Sequence, residues 1–533
     1  MYSLPSPVLT VIVASACLLL ISFYLRAPVK SRLPPGPRPL PVIGNLLDIP
    51  RVRPWEVYRE LSRKYGKSSS RHDWNLISLQ VFGRTLIIVD NHDIAVDLLD
   101  KRSSIYSSRP PSKTVDLCGW GWDFAFMPYG PLWRAHRRVL SPHLSRDGVA
   151  MFNDYHATNA HRLLQRLLST PEKLVDHVRL AVGATLMKAV YGLEITDEYI
   201  KLFADAFSSS DILLNGSILD FLPSLAHFPT WLPGTAFLRR LAYYRQVVPA
   251  MRDIPWRDAK AAISRGGAPV SLASASVENI AQLKGDDAVK QDEICRNALS
   301  LAYGAGIDTV GLLESRGYRA DAHRGRQTYA TLCAFFVAMS LYLDVQQKAR
   351  AELDGVVGPS GLPTQADRDN LPYVDAVIKE TLRWHNATPL LIPHLSTADD
   401  HYNGFFIPAN SVILVNAWSI LHDPEVFPEP DKFVPERYLT DGRPNATVRD
   451  PATVIFGYGR RICQGRYFAE AALFTCIASV LHTLDISLPL DGYGRPVRKE
   501  PSISTDLVTH IEDCRCTIKP RSASAEALIR TPG

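Results

Sequence analysis

The chain is poor in the features that mark secreted scaffolds and nucleic-acid binders. Eight cysteines scattered over 533 residues are too few for a disulfide framework. Neither sign of charge dominates: 59 Lys and Arg stand against 54 Asp and Glu, a net +5. Spread over this length, that excess argues against nucleic-acid binding. No G-x-G-x-x-G follows a strand-like run, so the chain holds no nicotinamide or flavin fold of its own. Internal repeats and low-complexity tracts are also missing. With 46% hydrophobic and 21% charged residues, a wholly disordered or collagen-like chain is excluded. Length alone suggests about three domains. Proline, at 39 residues, is not scarce, and many prolines cluster near the N-terminus and in the last quarter.

Only one run is both long and apolar. Val8 to Leu25 reads VLTVIVASACLLLISFYL, without a charge. As a helix at about 1.5 Å per residue it would reach about 27 Å, close to the hydrocarbon thickness of a bilayer. No charge precedes it, and Arg26, Lys30 and Arg32 follow, the reverse of a signal peptide's basic start. The expectation is an uncleaved anchor within 1–32, with one transmembrane helix over about 8–25. The bulk of the chain would then be cytosolic. Residues 33–45, LPPGPRPLPVIGN, are too proline-rich for helix and read as a stiff hinge. On the cytosolic side disulfides are not expected. The Cys514 and Cys516 pair has no companion with zinc spacing, and the sequons at Asn215, Asn386 and Asn445 would stay unused.

The body reads as mainly α with small β-sheets. Residues 76–90, LISLQVFGRTLIIVD, predict a hairpin around FGR. From about 92 to 350 apolar residues recur at three and four, the helical period, with proline-rich breaks near 109–111 and 223–233. Another amphipathic helix is predicted over 371–385. Short strands and turns follow to 420, then proline-rich coil to 450. A helix is predicted from just after Cys463 to about His482, with short strands finishing the fold and a polar tail over 519–533.

One stretch breaks this pattern. Val310 to Gln327, VGLLESRGYRADAHRGRQ, holds three glycines and four arginines between two apolar helical flanks. Each glycine costs about 1 kcal/mol in a helix interior. Excision joins AGIDT directly to TYATLCAFFVAM. Valine codons begin GT and glutamine can be CAG, and introns begin GT and end AG. Residues 310–327 are therefore read as an in-frame retained intron, with a genuine bulging loop as the alternative. KSSSRHDWN, 67–75, is a shorter irregularity whose origin the sequence leaves open.

The chemistry concentrates in FGYGRRICQG. Phe456, Gly459, Arg461, Cys463 and Gly465 fit F-x-x-G-x-R-x-C-x-G. Chance would supply these five positions in on the order of 1 in 10,000 chains of this length. A cysteine just before a helix faces backbone N–H groups and the positive dipole end, which favours its thiolate. The glycines allow tight turning and close approach to a flat partner. Arg461 can neutralise a carboxylate.

This segment resembles the haem-binding loop of the cytochrome P-450 superfamily, the haem-thiolate monooxygenases. The resemblance implies the cytochrome P-450 fold, haem b as cofactor and Cys463 as the axial thiolate on its iron. The family usually has proline or a small residue after the cysteine; here Gln464 stands there. The resemblance further implies that Trp133 and Arg137, in PLWRAHRRVL, bond a haem propionate and that His394 is another propionate partner. Glu380 and Arg383, an E-x-x-R, would form with Arg437 a buried structural charge network. AGIDT, 305–309, resembles the distal-helix motif. There Gly306 would leave room for dioxygen, while Asp308 and Thr309 would deliver protons as catalytic residues.

Residues 46–518 would then be one catalytic domain behind the anchor, in place of three domains. Electrons would come from an NADPH-cytochrome P-450 reductase, with Arg134 and Arg138 as docking candidates. The location would be the endoplasmic reticulum membrane. Apolar and aromatic stretches around Cys118–Phe126, Phe207–Trp231, Ala302–Ala305, Ala387–Ile392 and Leu507–Val508 suit an apolar small molecule. The pattern looks most like fungal secondary-metabolite members, which implies a terpenoid or polyketide substrate. The other open readings are a reductase-independent haem-thiolate isomerase or dehydratase, and an inactive splice-variant haem protein.

Overall fold

The computed structural model describes residues 32–66, 75–209, 218–221, 223–229, 231, 235–310, 330–505 and 508–531. The proposed anchor helix at 8–25, all but the last residue of the irregularity at 67–75, and most of the 310–327 insert lie outside the described residues. Among those described, no single helix is long and apolar enough to cross a membrane.

The helices that matter here are α1 (Pro54–Tyr65), α2 (Lys113–Leu117), α3 (Pro131–Leu140), α4 (Asn153–Ser169), α5 (Leu174–Tyr191), α6 (Asp197–Phe207) and α7 (Ala236–Ser264). They are followed by α8 (Leu272–Ala281), α9 (Gly285–Val310), α10 (Ala330–Leu341), α11 (Leu343–Val356), α12 (Pro372–Trp384), α13 (Arg466–Thr483) and α14 (Ala523–Arg530). Two of these form the centre. Every residue of α10 from Ala330 to Ser340 is buried, and so is every residue of α13 from Leu473 to Thr483. A helix apolar on all sides has no solvent face and must be wrapped by others. Helices α4, α5, α9 and α12 do the wrapping.

The largest sheet has four strands in the order β1–β2–β6–β3: β1 (Leu76–Val81), β2 (Arg84–Val89), β3 (His394–Leu395) and β6 (Val412–Val415). The predicted hairpin is there. Phe82 and Gly83, at φ +48° and +80°, make its two-residue turn, and that double positive φ matches the twist of the flanking strands. β2 and β6 run parallel, joining chain segments more than 300 residues apart. The short pairs β4 (Asp400–Tyr402) with β5 (Phe405–Ile407) and β7 (Leu439–Thr440) with β8 (Arg443–Pro444) fill the strand-and-coil region.

The C-terminal segment corrects the expectation of a polar tail. β9 (Leu484–Ser487) pairs antiparallel with β10 (Thr517–Pro520), and α14 follows, capped by the Ser522 hydroxyl. Ile529 is wholly buried, and its carbonyl accepts from His161 Nε2 at 2.9 Å on α4. Two apolar residues four apart, Ala525 and Ile529, pull this polar-looking helix onto the body.

Candidate functional site

The cysteine loop is built by its own backbone. Cys463 N–H donates to the Phe456 carbonyl at 2.8 Å, which closes the loop from Phe456 to Cys463. Gly459 to Arg461 turn as a short 3-10 segment between them. Gly459 sits at φ +57°, and a Cβ there would stand 2.1 Å from the Leu99 carbonyl oxygen. Its glycine requirement therefore comes from the neighbouring protein backbone, not from approach to a flat partner. Gly465 has only the Cys463 sulfur within reach of such a Cβ, at 3.9 Å. Helix α13 starts at Arg466, so the sulfur lies just ahead of a helix N-terminus.

The Cys463 side chain is exposed, yet protein surrounds it at longer range. Burial raises its thiol pKa. The Gly465 and Arg466 N–H groups and the Arg137 and Arg466 charges pull the other way without overcoming it. The expected thiolate stabilisers are present but insufficient by themselves. A metal cation coordinated by Cys463 would supply the missing stabilisation, because a coordinating cation deprotonates a bound thiol.

Around this loop three guanidiniums are gathered. Trp133, on α3, is buried between two of them: Arg461 lies 4.4 Å and Arg137 5.3 Å from its ring centroid. Arg461 donates to the carbonyls of Ser107 (2.7 Å), Phe124 (3.2 Å) and Met127 (2.7 Å). Arg137 donates to the Ile462 carbonyl at 2.7 Å. The third, Arg109, was not singled out in the sequence. It donates to the carbonyls of Ala125, Ile392 and Pro393. Its only sequence signal is an arginine before the Pro110–Pro111 break, which a helix-period search passes over.

Burial lowers all three: Arg137 to about 10, Arg461 to about 9, and Arg109, further opposed by Arg461, well down. None of them has a carboxylate at ion-pair distance among the described residues. Buried like charges without a counter-ion are costly. The set fits a ligand that brings its own carboxylates to an open cysteine, as haem b does with its propionates.

His394 fits that role less well. It is buried, and its Nδ1–H donates to the Tyr106 carbonyl at 2.7 Å. Burial, with Arg109 and Arg461 nearby, drives its pKa well below the usual value. In the neutral ring so favoured, Nε2 carries no proton to give a carboxylate.

Helix α9 carries the distal motif. Asp308 and Thr309 fall in its last turn, but their side chains lie outside the described residues. The empty side of Gly306 faces α5: a Cβ there would stand 2.9 Å from Leu186 Cδ2. Its smallness lets α9 pack closely on α5. The aromatic wall between α2 and α3 is continuous. Trp120 stacks on Trp122 at 5.6 Å, meets Phe207 at 5.3 Å and donates to Ser209 Oγ at 2.8 Å. Asp220 Oδ1 accepts from Ser112 Oγ, Thr114 N–H and Thr114 Oγ1 at 3.0, 3.1 and 3.2 Å. It fastens residues 218–221 to the start of α2. Leu507 is outside the described residues; Val508 is buried.

Glu380 and Arg383, both on α12, are fully buried and bidentate, Nε–Oε2 and Nη2–Oε1 each 2.8 Å. Arg437 Nε reaches Glu380 at 3.2 Å, and Val434 N–H donates to it at 2.9 Å. Arg383 also donates to the Leu421 and Lys432 carbonyls. The network holds the proline-rich coil against α12. On the outside of the cysteine loop Arg134, Arg138 and Arg460 are exposed, with Arg134 and Arg460 over the Tyr129 ring.

A sequence profile of the family described as Cytochrome P450 matches residues 34–312 and 326–511. Among curated proteins, the chain is 36% identical over 538 residues to the cytochrome P450 monooxygenase COX1 of Coprinopsis cinerea, covering 98% of this chain and 99% of that one. It is 36% identical to the cytochrome P450 monooxygenase ple1 of Rhodocybe pseudopiperita, over 94% of this chain and 92% of that one. It is 33% identical to the tryptamine 4-monooxygenase of Psilocybe cyanescens, over 92% and 94%.

Proposed function

The chain belongs to the cytochrome P450 family and is a haem-thiolate monooxygenase, and on that premise we propose that it oxidises an apolar small molecule of fungal secondary metabolism at the endoplasmic reticulum membrane. The observation that carries the site is the gathering of buried Arg109 and Arg461 with half-buried Arg137, all without carboxylates at ion-pair distance among the described residues, beside an open Cys463. Cys463 would ligate the iron, and the three arginines with Trp133 would hold the propionates. Haem b, when bound, activates dioxygen, and a thiolate ligand favours O–O cleavage.

The protein's own groups do the remainder. The walls around Trp120, Trp122 and Phe207 bind an apolar substrate and keep water away. The Thr309 hydroxyl holds a proton at Oγ1, and the Asp308 carboxyl resupplies it. The uncharged run 8–25, ahead of three basic residues, supports the anchor. Exposed Arg134, Arg138 and Arg460 suit an acidic, flavodoxin-like reductase fed by NADPH. The terpenoid or polyketide substrate class rests on the resemblance to fungal secondary-metabolite members; the tryptamine 4-monooxygenase among the relatives is named for an aromatic amine.

Residues 310–327 we read as retained intron. The family match breaks off at 312 and resumes at 326. The working chain would then have 533 − 18 = 515 residues and a net charge of 5 − 4 + 2 = +3, since four arginines, Glu314 and Asp321 leave. A mature transcript that still encodes GLLESRGYR would refute this. For the function, the test is the reduced carbon-monoxide spectrum followed by NADPH-dependent turnover of terpene and polyketide panels with a reductase. Absence of a thiolate-type Soret band removes the haem-thiolate reading; a band without NADPH-dependent product removes the monooxygenase reading.

A further inference from the structure

Cys463 is flanked by Ile462 and Gln464, and both neighbours are tied to the same residue of α3. Arg137 Nη2 donates to the Ile462 carbonyl at 2.7 Å. In return, Gln464 Nε2 donates to the Arg137 carbonyl at 2.8 Å and to Ser141 Oγ at 3.0 Å. Ser141 follows the last residue of α3, and its hydroxyl spends its own proton on that same Arg137 carbonyl at 2.8 Å. Ser141 Oγ is therefore free to accept from Gln464. The orientation of the Gln464 amide is fixed by chemistry: a backbone carbonyl only accepts, so the nitrogen must face it. The cost is visible at the other end of the amide, where Gln464 Oε1 is buried without a partner. An orphaned acceptor is unfavourable, so the two donated bonds hold the side chain there against that cost.

We propose that Gln464 is a positioning residue for the axial thiolate: with Arg137 it clamps both sides of Cys463 to the C-terminal turn of α3. This rests on Cys463 being the haem ligand. The clamp has a geometric consequence. Helix α3 also carries Trp133 and Arg137, which would hold the propionates. One helix then sets both the edge of the haem and the loop that presents the sulfur, so the two cannot drift apart independently. A side chain without a donor at 464 releases one side of the cysteine, while Arg137 keeps the other.

The test uses the full-length haem-loaded protein with Q464M, which keeps the volume and donates nothing, S141A, and the double variant. In Q464M the ratio of the displaced- or protonated-sulfur Soret band to the thiolate-type band of the reduced carbon-monoxide complex should rise about five-fold, the equivalent of one ordinary hydrogen bond. S141A should give a smaller rise. The double variant should lose less melting temperature than the two single losses added together, because both substitutions break the Gln464–Ser141 bond while S141A alone also removes the hydroxyl's bond to the Arg137 carbonyl. A parental band ratio in Q464M overturns the proposal. So do coupled melting shifts with an unchanged ratio, which would leave a merely structural bond. A parent protein with no thiolate-type band fails the cofactor reading itself, a result separate from either.

Discussion

Arg461 lies against the face of Trp133, 4.4 Å from its centroid, while its nitrogens donate to three backbone carbonyls between Ser107 and Met127. The same side chain thus joins the cysteine loop, helix α3 and the segment from Ser107 to Met127. A planar fork is needed to serve three carbonyls and an aromatic face at once. Lysine offers a point charge instead.

R461K is therefore expected to be non-conservative. It should lose about 2 kcal/mol in thermal or denaturant unfolding, since hydrogen bonds from charged donors are worth about 1.5–3 kcal/mol each and lysine recovers part. Haem content per protein, read from the Soret absorbance, should fall with it. Full stability and full loading in R461K would show that charge alone suffices.

Glu380 is the acceptor that two buried arginines share. E380A strands both and should cost about 3–5 kcal/mol. Adding R383A should cost less than the sum of the two single changes, because the second removes a charge already left unpaired. Chemical denaturation of the four proteins measures this; strict additivity would contradict a shared network.

Three buried histidines give acid sensitivity. Burial lowers His156 and His385 to about 4 and His422 to about 3, against 6.5 when exposed. Between about pH 6.5 and 4 the unfolded chain binds protons that the folded chain refuses. Stability therefore falls as pH falls through that window. His156 packs on Phe468 at 4.5 Å with Nε2 unpartnered. H156L should reduce the acid loss of melting temperature, and an unchanged pH slope would exclude His156 as a contributor.

The three bonds onto Asp220 Oδ1 fasten one flank of the substrate wall to α2. D220A should open it. An aromatic imidazole that ligates ferric haem reports entry by its spectral shift in stopped flow. Its association and dissociation rates should both rise several-fold while the Kd moves little, as expected when a barrier rather than a contact is removed. Unchanged rates would mean the substrate enters elsewhere.

Much of the frame was legible because its signals are local. The period-two run at 76–90, the apolar stripe of α12 and the spacing of Phe456 to Gly465 depend on residues within a few turns of one another. The final helix escaped because only two residues, Ala525 and Ile529, carry its apolar face. Arg109 escaped because its role comes from carbonyls at Ala125, Ile392 and Pro393, up to 284 positions away.

The sequence by itself carried the family resemblance and, through it, Cys463 as the cysteine that can ligate iron and Arg383 and Arg437 as partners for Glu380, since motif spacing along a chain is readable in one dimension. The tertiary structure decided that Gly459 answers to the Leu99 carbonyl, that His394 is buried near two arginines, and that both neighbours of Cys463 are fastened to Arg137. Those are matters of which groups meet across hundreds of residues and how far water is excluded from them. Burial and long-range contact exist only once the chain has folded.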